Sequence, residues 1–562
     1  MKATLGIYGI KDRSEKPTFV HDHNLCLMYD GKIMDYLHLE RYSREKYDNK
    51  LENYIEELIE NNKIKLPNEF DVVLVNSFEG NSFISKNGKI KIESGKLFSN
   101  PPDIAKNSFS RFLIENIYEE YCPKTYTISH ELAHIFSIVP FYGEFKENSL
   151  LVHFDGGASV GNFSAFIYKG NNIKCIKSDW EYSYLSKIFN NNAVAFKILG
   201  AKPGEHTSVP GKLMGLASFG EANIKIENWI RKNLNEENGE FFYYVWTDEK
   251  RFFDDVYKEF GIRLEKFNTY NKFLQDVAAN FQAIFEKDTI AILQNLQNEY
   301  NVDYLYYAGG CALNIVTNSK LIQKNLFRDI FISPCCNDSG LSIGAVSYIE
   351  WREKNNQVKN HFPYLNNINL NTEDNTINEK LIEEVAELIL NNKIIGISNG
   401  FGEVGPRALG NRSIIALPNS IELSKKVSIE CKKREWYRPI APIMLKEVAE
   451  IVVEEKIHHL SKYMLLDYKI KHKFSDELKG VIHINGTARI QVIKNKEENP
   501  FIYLLLRYLW EKHKIYGLIN TSFNSAGEPI VNTSEEAICS AKKMNLDAII
   551  INNSLIEFNR GV

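Results

Sequence analysis

The chain has 562 residues, 44% of them apolar, which exceeds one ordinary core and predicts two or three folding units. A net charge of −4, from 68 basic against 72 acidic residues, gives no general electrostatic reason to bind nucleic acid or an anionic membrane, and no run approaches the roughly 20 apolar residues of a membrane span. The eight cysteines include no C-x-x-C pair, only the adjacent Cys335 and Cys336, so neither a zinc ribbon nor a disulfide framework is indicated and a reducing cytoplasm is expected.

The opening "MKATLGIYGIKDRSEK" turns charged too soon for a signal peptide or an anchor and reads as a first strand. "TLGIYGI", then "NLCLMYDGKIMDYLHLE", is an apolar strand followed by a strand, a Gly/Asp turn and a returning strand. The pattern recurs in "LLVHFDGGASVGNFSAFIYKGNNIKCI". Two such hairpins, each followed by helical sequence, suggest a duplicated α/β lobe of the actin and sugar-kinase type; two unrelated hairpins are the alternative.

Between them, "SHELAHIFSIVPFYG" holds the letters His-Glu-x-x-His. A zinc peptidase needs that motif in a sustained helix, with a third ligand on a downstream helix or in a tightly spaced third-histidine motif. Here Pro140 and Gly143 end the helix within two turns and a strand follows, so the peptidase reading fits poorly. Two satisfied histidines on a helix, or a metal site of another kind, remain. The second gains from "ISPCCNDSGLSIGA", an apolar strand end followed by an Asp-Ser-Gly turn and a small-residue helix start, where an aspartate at a strand's carboxyl end can point into an α/β cleft. His130, His134 and Asp338 then form a two-histidine, one-carboxylate set suited to iron(II), and also to zinc or manganese, with Glu131 facing away.

From about residue 353 to 378 the sequence is polar and asparagine-rich and reads as a linker, placed at 356–380. The helical pattern "EKLIEEVAELILNNK" and the strand "IIGIS" open a second α/β domain, 381–562, after a first of 1–355.

"PGKLMGLASFG", "GGCALN", "GEVGPRALGNRSI", "KKREWYRPIAPIML", "HINGTARIQVI" and "LINTSFNSAGEPIVNT" together resemble the O-carbamoyltransferase family, whose relatives act in Nod-factor, cephamycin, ansamycin and aminoglycoside biosynthesis. The resemblance implies an actin-like N-terminal domain similar to that of threonylcarbamoyl-adenosine synthesis, and a YrdC-like α/β C-terminal domain. It implies that the C-terminal domain joins ATP, with magnesium, and carbamoyl phosphate into carbamoyl-adenylate, and that the metal-bearing domain passes the carbamoyl group to a hydroxyl of a small molecule, a saccharide or secondary metabolite. Nucleic acid and membrane are not expected partners, and the oligomeric state is not readable.

Making an adenylate from two anionic reactants demands fixed cations. Lys432 and Arg434, two apart and therefore on one face of a strand, match the Lys-x-Arg motif of the YrdC-like fold. Arg489, Thr521, Ser522 and Asn524 match its phosphate- and nucleotide-binding positions, while Arg407, Arg412 and Arg438 add planar forks. Met464 also sits at a family position, or is simply core. In the N-terminal domain, Gly156 and Gly157 of "DGGASVG" and Gly309, Gly310 and Asn314 of "AGGCALN" stand where nucleotide loops are expected. His21 of "HDHN" matches a family His-Asp pair and is the expected general base or orienter, with a histidine satisfied in a turn as the alternative. The insertion "IKDRSEKPTFV", Asn24 and "CCNDSG" depart from the family pattern near the acceptor pocket. Two competing functions are a fused threonylcarbamoyl-adenosine tRNA-modifying enzyme and a non-catalytic metal- and nucleotide-binding module.

Overall fold

The computed structural model describes residues 2–9, 20–76, 82–84, 91–93, 125–159, 161–202, 204–368, 370 and 376–558. Most of the charged insertion, residues 10–19, lies outside the described residues.

In the first sheet, β1 (Ala3–Tyr8) pairs antiparallel with β2 (Asn24–Tyr29), which pairs antiparallel with β3 (Lys32–His38). On its other side β1 runs parallel to β4 (Phe70–Asn76), and β4 parallel to β5 (Thr125–Ser129). The hairpin between β2 and β3 closes through Asp30 and Gly31 at φ 49° and 69°, a two-residue turn with both centres left-handed, which matches the right-handed strand twist. At the end of β5 the chain enters α1 (His130–Phe136).

The second sheet repeats this plan. Strands β6 (Ser149–Phe154), β7 (Phe163–Lys169) and β8 (Asn172–Asp179) form an antiparallel meander. Its second turn, Gly170–Asn171, again has both residues at positive φ, 58° and 57°. After the long helix α2 (Lys272–Tyr300), β9 (Tyr304–Ala308) adds parallel to β6 and β10 (Asp329–Phe331) parallel to β9. Both sheets thus carry the order 3-2-1-4-5, and the duplication is that of an actin-like α/β domain. Helix α3 (Leu341–Arg352) lies between the first sheet and α1, so it is buried on nearly every side.

The polar segment 356–380 is not structureless. Within it β11 (Tyr364–Asn366) joins the edge of the first sheet beside β3. Beyond it, α4 (Glu379–Leu390) leads to β12 (Ile395–Ser398), and the next strand, β13 (Gly402–Glu403), pairs back onto β11. The third sheet takes the order β16-β15-β17-β14-β12-β18-β19, from β14 (Arg412–Ala416), β15 (Ala441–Leu445), β16 (Gln491–Ile493), β17 (Leu518–Ser522), β18 (Ala548–Ile551) and β19 (Ser554–Glu557), with α5 (Ser534–Lys543) before β18. One apolar core runs through both sheets of the N-terminal half and into this third one. Among the described residues no helix is long and apolar enough to cross a membrane.

Candidate active sites

The first centre forms where α1 meets α3. Ser129 closes β5 and caps α1 by accepting from Leu132 N at 3.2 Å, which sets His130 in the first turn and His134 one turn on, with both rings on one face. The helix ends after Phe136, and Gly143 takes φ 82° after the short helix Val139–Tyr142. Asp338 is the first residue of a 3-10 turn, Asp338–Gly340, that opens into α3, so the turn and helix start expected there are present, and it lies a few residues beyond the end of β10. It still reaches both histidines. Its Oδ1 lies 3.6 Å from His130 Nε2 and 3.3 Å from His134 Nε2, and the two imidazole nitrogens are 3.0 Å apart. Ligand atoms spaced like this suit one ion bound at about 2.0–2.2 Å, so the donor set fits a divalent transition metal.

Tyr8 donates to Asp338 Oδ2 at 2.9 Å. Burial opposes the charge on Asp338, yet His21, His130 and His134 hold its carboxyl well below the usual range. His130 is raised, because Asp338 outweighs its burial. Two residues of β6 and the loop after it join this centre unforeseen. Asp155 places Oδ2 3.6 Å from His134 Nε2, and His153 stacks on the His134 ring at 5.1 Å. A histidine inside the otherwise apolar run "LLVHF" was the available signal.

Asp155 also ties the glycine loops together, since both Gly156 N and Gly310 N donate to its carboxylate. Gly309 has φ 95°, and a Cβ there would sit 2.2 Å from the Phe154 carbonyl, so only glycine allows this approach. Gly157 faces the Trp180 ring and Gly156 the Asn190 amide. Asn314 does not present a group to a ligand: its Oδ1 caps the helix Ile315–Lys324 by accepting from Thr317 N at 3.1 Å, and its amide exchanges hydrogen bonds with Gln282.

His21 stands beside this centre. Its Nδ1 lies 3.1 Å from Asp22 Oδ2, and Asp22 Oδ1 lies 3.1 Å from His38 Nε2. Burial disfavours a charged His21, but Asp338 and Asp22 raise its imidazole to about 9.

The second centre is a collection of cations. Lys432 is buried, and its ammonium donates to Ser522 O, to Ser522 Oγ at 3.2 Å, and to Asn524 O and Oδ1 at 2.7 and 2.8 Å. Arg434 reaches the same Ser522 Oγ at 3.4 Å. The stretch 432–434 is not a strand. Lys432 follows a π-helical turn, Lys426–Cys431, and Lys433 at φ 49° turns outward, which brings its two neighbours to one side. Arg407 and Arg489 join them, each with a buried Nε that has no hydrogen-bond partner among the described residues. Among those residues none of Lys432, Arg434, Arg407 and Arg489 forms an ion pair. Arg438 pairs with Glu435 at 3.5 Å, which Lys212 shares at 2.9 Å. Burial and Arg438 lower Arg434 to about 9. Burial lowers Arg407 to about 10 and pushes Lys432 and Arg489 far down, with neighbouring cations adding to it.

Two expected members are elsewhere. The Arg412 guanidinium is fully committed to backbone carbonyls of Asn399, Gly400, Asn411 and Asn532 at 2.8–3.2 Å, so it braces loops instead of holding phosphate. Thr521 lies between Asn520 and Ser522 on β17, and strand alternation turns it to the face opposite Lys432. Met464 is buried in the core.

Residues 14–347 match the family profile described as carbamoyltransferase N-terminus, and residues 386–557 the one described as carbamoyltransferase C-terminus. The chain belongs to the carbamoyltransferase family. It is 31% identical to an uncharacterised protein of Methanocaldococcus jannaschii, over 76% of this chain and 82% of that one. Nodulation protein NolNO of Sinorhizobium fredii is 26% identical, over 96% of this chain and 79% of its own. The 3'-hydroxymethylcephem-O-carbamoyltransferase of Amycolatopsis lactamdurans is 26% identical over 66% and 68%. This carbamoyltransferase is therefore an enzyme that transfers a one-carbon group, and its two centres fall one in each matched half.

Proposed function

We propose that the protein is a cytoplasmic ATP-dependent O-carbamoyltransferase whose C-terminal domain, 381–562, makes carbamoyl-adenylate and whose N-terminal domain, 1–355, delivers the carbamoyl group to a hydroxyl of a saccharide or secondary metabolite. The observation that carries this reading is the set of Lys432, Arg434, Arg407 and Arg489, buried or half-buried together without acidic partners among the described residues. Such a set is costly unless polyanions occupy it. ATP with magnesium and carbamoyl phosphate supply those anions: water cleaves carbamoyl phosphate to carbamate and phosphate, and a carbamate oxygen then bonds the α-phosphorus of ATP as pyrophosphate leaves. Lys432, oriented by Ser522 and Asn524, and Arg434 offset charge that builds on the leaving groups. Arg407, Arg438 and Arg489 hold phosphate oxygens through planar forks.

In the N-terminal domain, His130, His134 and Asp338 would hold iron(II), with zinc or manganese as alternatives. The ion there supplies Lewis acidity toward the carbamoyl adenylate. Asp22 anchors His21 through Nδ1, leaving Nε2 to orient the acceptor hydroxyl, whose oxygen bonds the carbamoyl carbon as AMP departs and its proton passes to solvent. Gly309 and Gly310 let backbone come close to the nucleotide, and Asp155 fixes both glycine loops.

The test is pyrophosphate release from ATP. Release that depends on carbamoyl phosphate is expected, whereas a binding module releases none. Radiolabelled carbamoyl phosphate offered with saccharides and with tRNA should label the small-molecule acceptor and leave tRNA unlabelled.

A further inference from the structure

The strand β6 is buried at all six positions, and one of them is a histidine. A buried imidazole needs a partner for its polar atoms, yet neither ring nitrogen of His153 has a hydrogen-bond partner among the described residues. Phenylalanine or leucine would pack there without that cost. The ring is not isolated from the metal centre. It stacks on His134 at 5.1 Å with planes 28° apart and meets His130 edge-on at 6.1 Å. One of its nitrogens lies within 4.8 Å of the ligand nitrogens of both. Asp155, two residues on and so on the same side of the chain, places a carboxylate oxygen 3.6 Å from His134 Nε2. Asp155 is itself engaged by two backbone amides, while His153 has no such commitment.

We propose that His153 is a fourth protein ligand of the metal centre, so that the ion is held by three imidazoles and the Asp338 carboxylate. This rests on the metal reading given above and deepens it. The backbone of β6 is fixed by ladders to β7 and β9, so only a side-chain rotation brings the ring onto the ion. A nitrogen-rich set shifts the preference from a site of the iron(II) oxygenase type toward zinc and cobalt(II).

The experiment is X-ray absorption on the cobalt(II)-loaded full-length protein, with cobalt affinity measured by chelator competition, for the natural chain and for His153→Phe. Three imidazoles are expected in the natural chain and two in the variant. The variant's affinity should fall by at least the roughly 10–100-fold that losing an outer-shell partner costs, while its far-ultraviolet dichroism is unchanged. Two imidazoles in the natural chain, or unchanged affinity in a folded variant, overturn the proposal and leave the three-ligand site standing. No stoichiometric cobalt in the natural chain would overturn the metal reading as well. If the variant does not fold, the count in the natural chain decides alone.

Discussion

Lys432 lies among carbonyl and amide oxygens with no carboxylate partner among the described residues, and Arg407, Arg434 and Arg489 share that condition. Arg434 at about 9 and Arg407 at about 10 keep their ordinary, higher values in the unfolded chain. The unfolded chain therefore binds more protons over that range, and stability rises with pH there. The melting temperature should climb as the pH rises through about 9 and about 10. Pyrophosphate should raise it at neutral pH, by roughly 2.7 kcal/mol of stability at a hundredfold excess over its Kd, and flatten the slope. A melting temperature indifferent to pyrophosphate contradicts the anion site. Most of this cluster was legible because basic residues among Gly, Pro and apolar neighbours are hard to explain as surface. Arg412 and Asn314 were misplaced for one reason: a motif shows which side chains are polar, and only the fold shows whether backbone has already claimed them.

Helices α1 and α3 bring the metal residues together, and Gly344 sets how near they lie. A Cβ at Gly344 would fall 1.7 Å from the carbonyl of Ala133, the residue before His134. Gly344→Ala should part the helices, draw Asp338 away from both rings and weaken metal binding by about 10–100-fold, with a stability loss of about 1–3 kcal/mol. Metal titration and denaturant unfolding measure the two effects; a variant with full affinity would mean the helix contact does not set the geometry. The short helix of "HELAH" was readable from Pro140 and Gly143. The turn at Asp338 and the helix after it were readable from "DSGLSIGA".

The two halves of the molecule interlock. A Cβ on Gly405 would lie 2.1 Å from the Pro334 carbonyl, so the loop carrying Arg407 abuts the loop carrying Asp338. Trp436 stacks on Tyr270 at 5.1 Å, meets Phe219 at 4.8 Å and donates to Thr269 Oγ1 at 3.1 Å, clamping the Lys-x-Arg loop to the N-terminal half. A labile intermediate passing between the centres needs such closure against water. Trp436→Ala should keep pyrophosphate release within a few-fold yet lower carbamoyl product per pyrophosphate on the order of tenfold or more. Equal yields would argue against a protected transfer. The doubled sheet was legible from its repeated hairpins, whereas β11 was hidden in the polar segment 356–380, because an edge strand of three residues has too few side chains to show alternation.

Pyrophosphate release and carbamoyl transfer, measured side by side in Lys432→Met and His130→Ala, test the division between the centres. Lys432→Met should lose both, with release down about a hundredfold or more, and His130→Ala should release pyrophosphate at near the natural rate while forming no carbamoylated product. A folded His130→Ala that no longer releases pyrophosphate would contradict it.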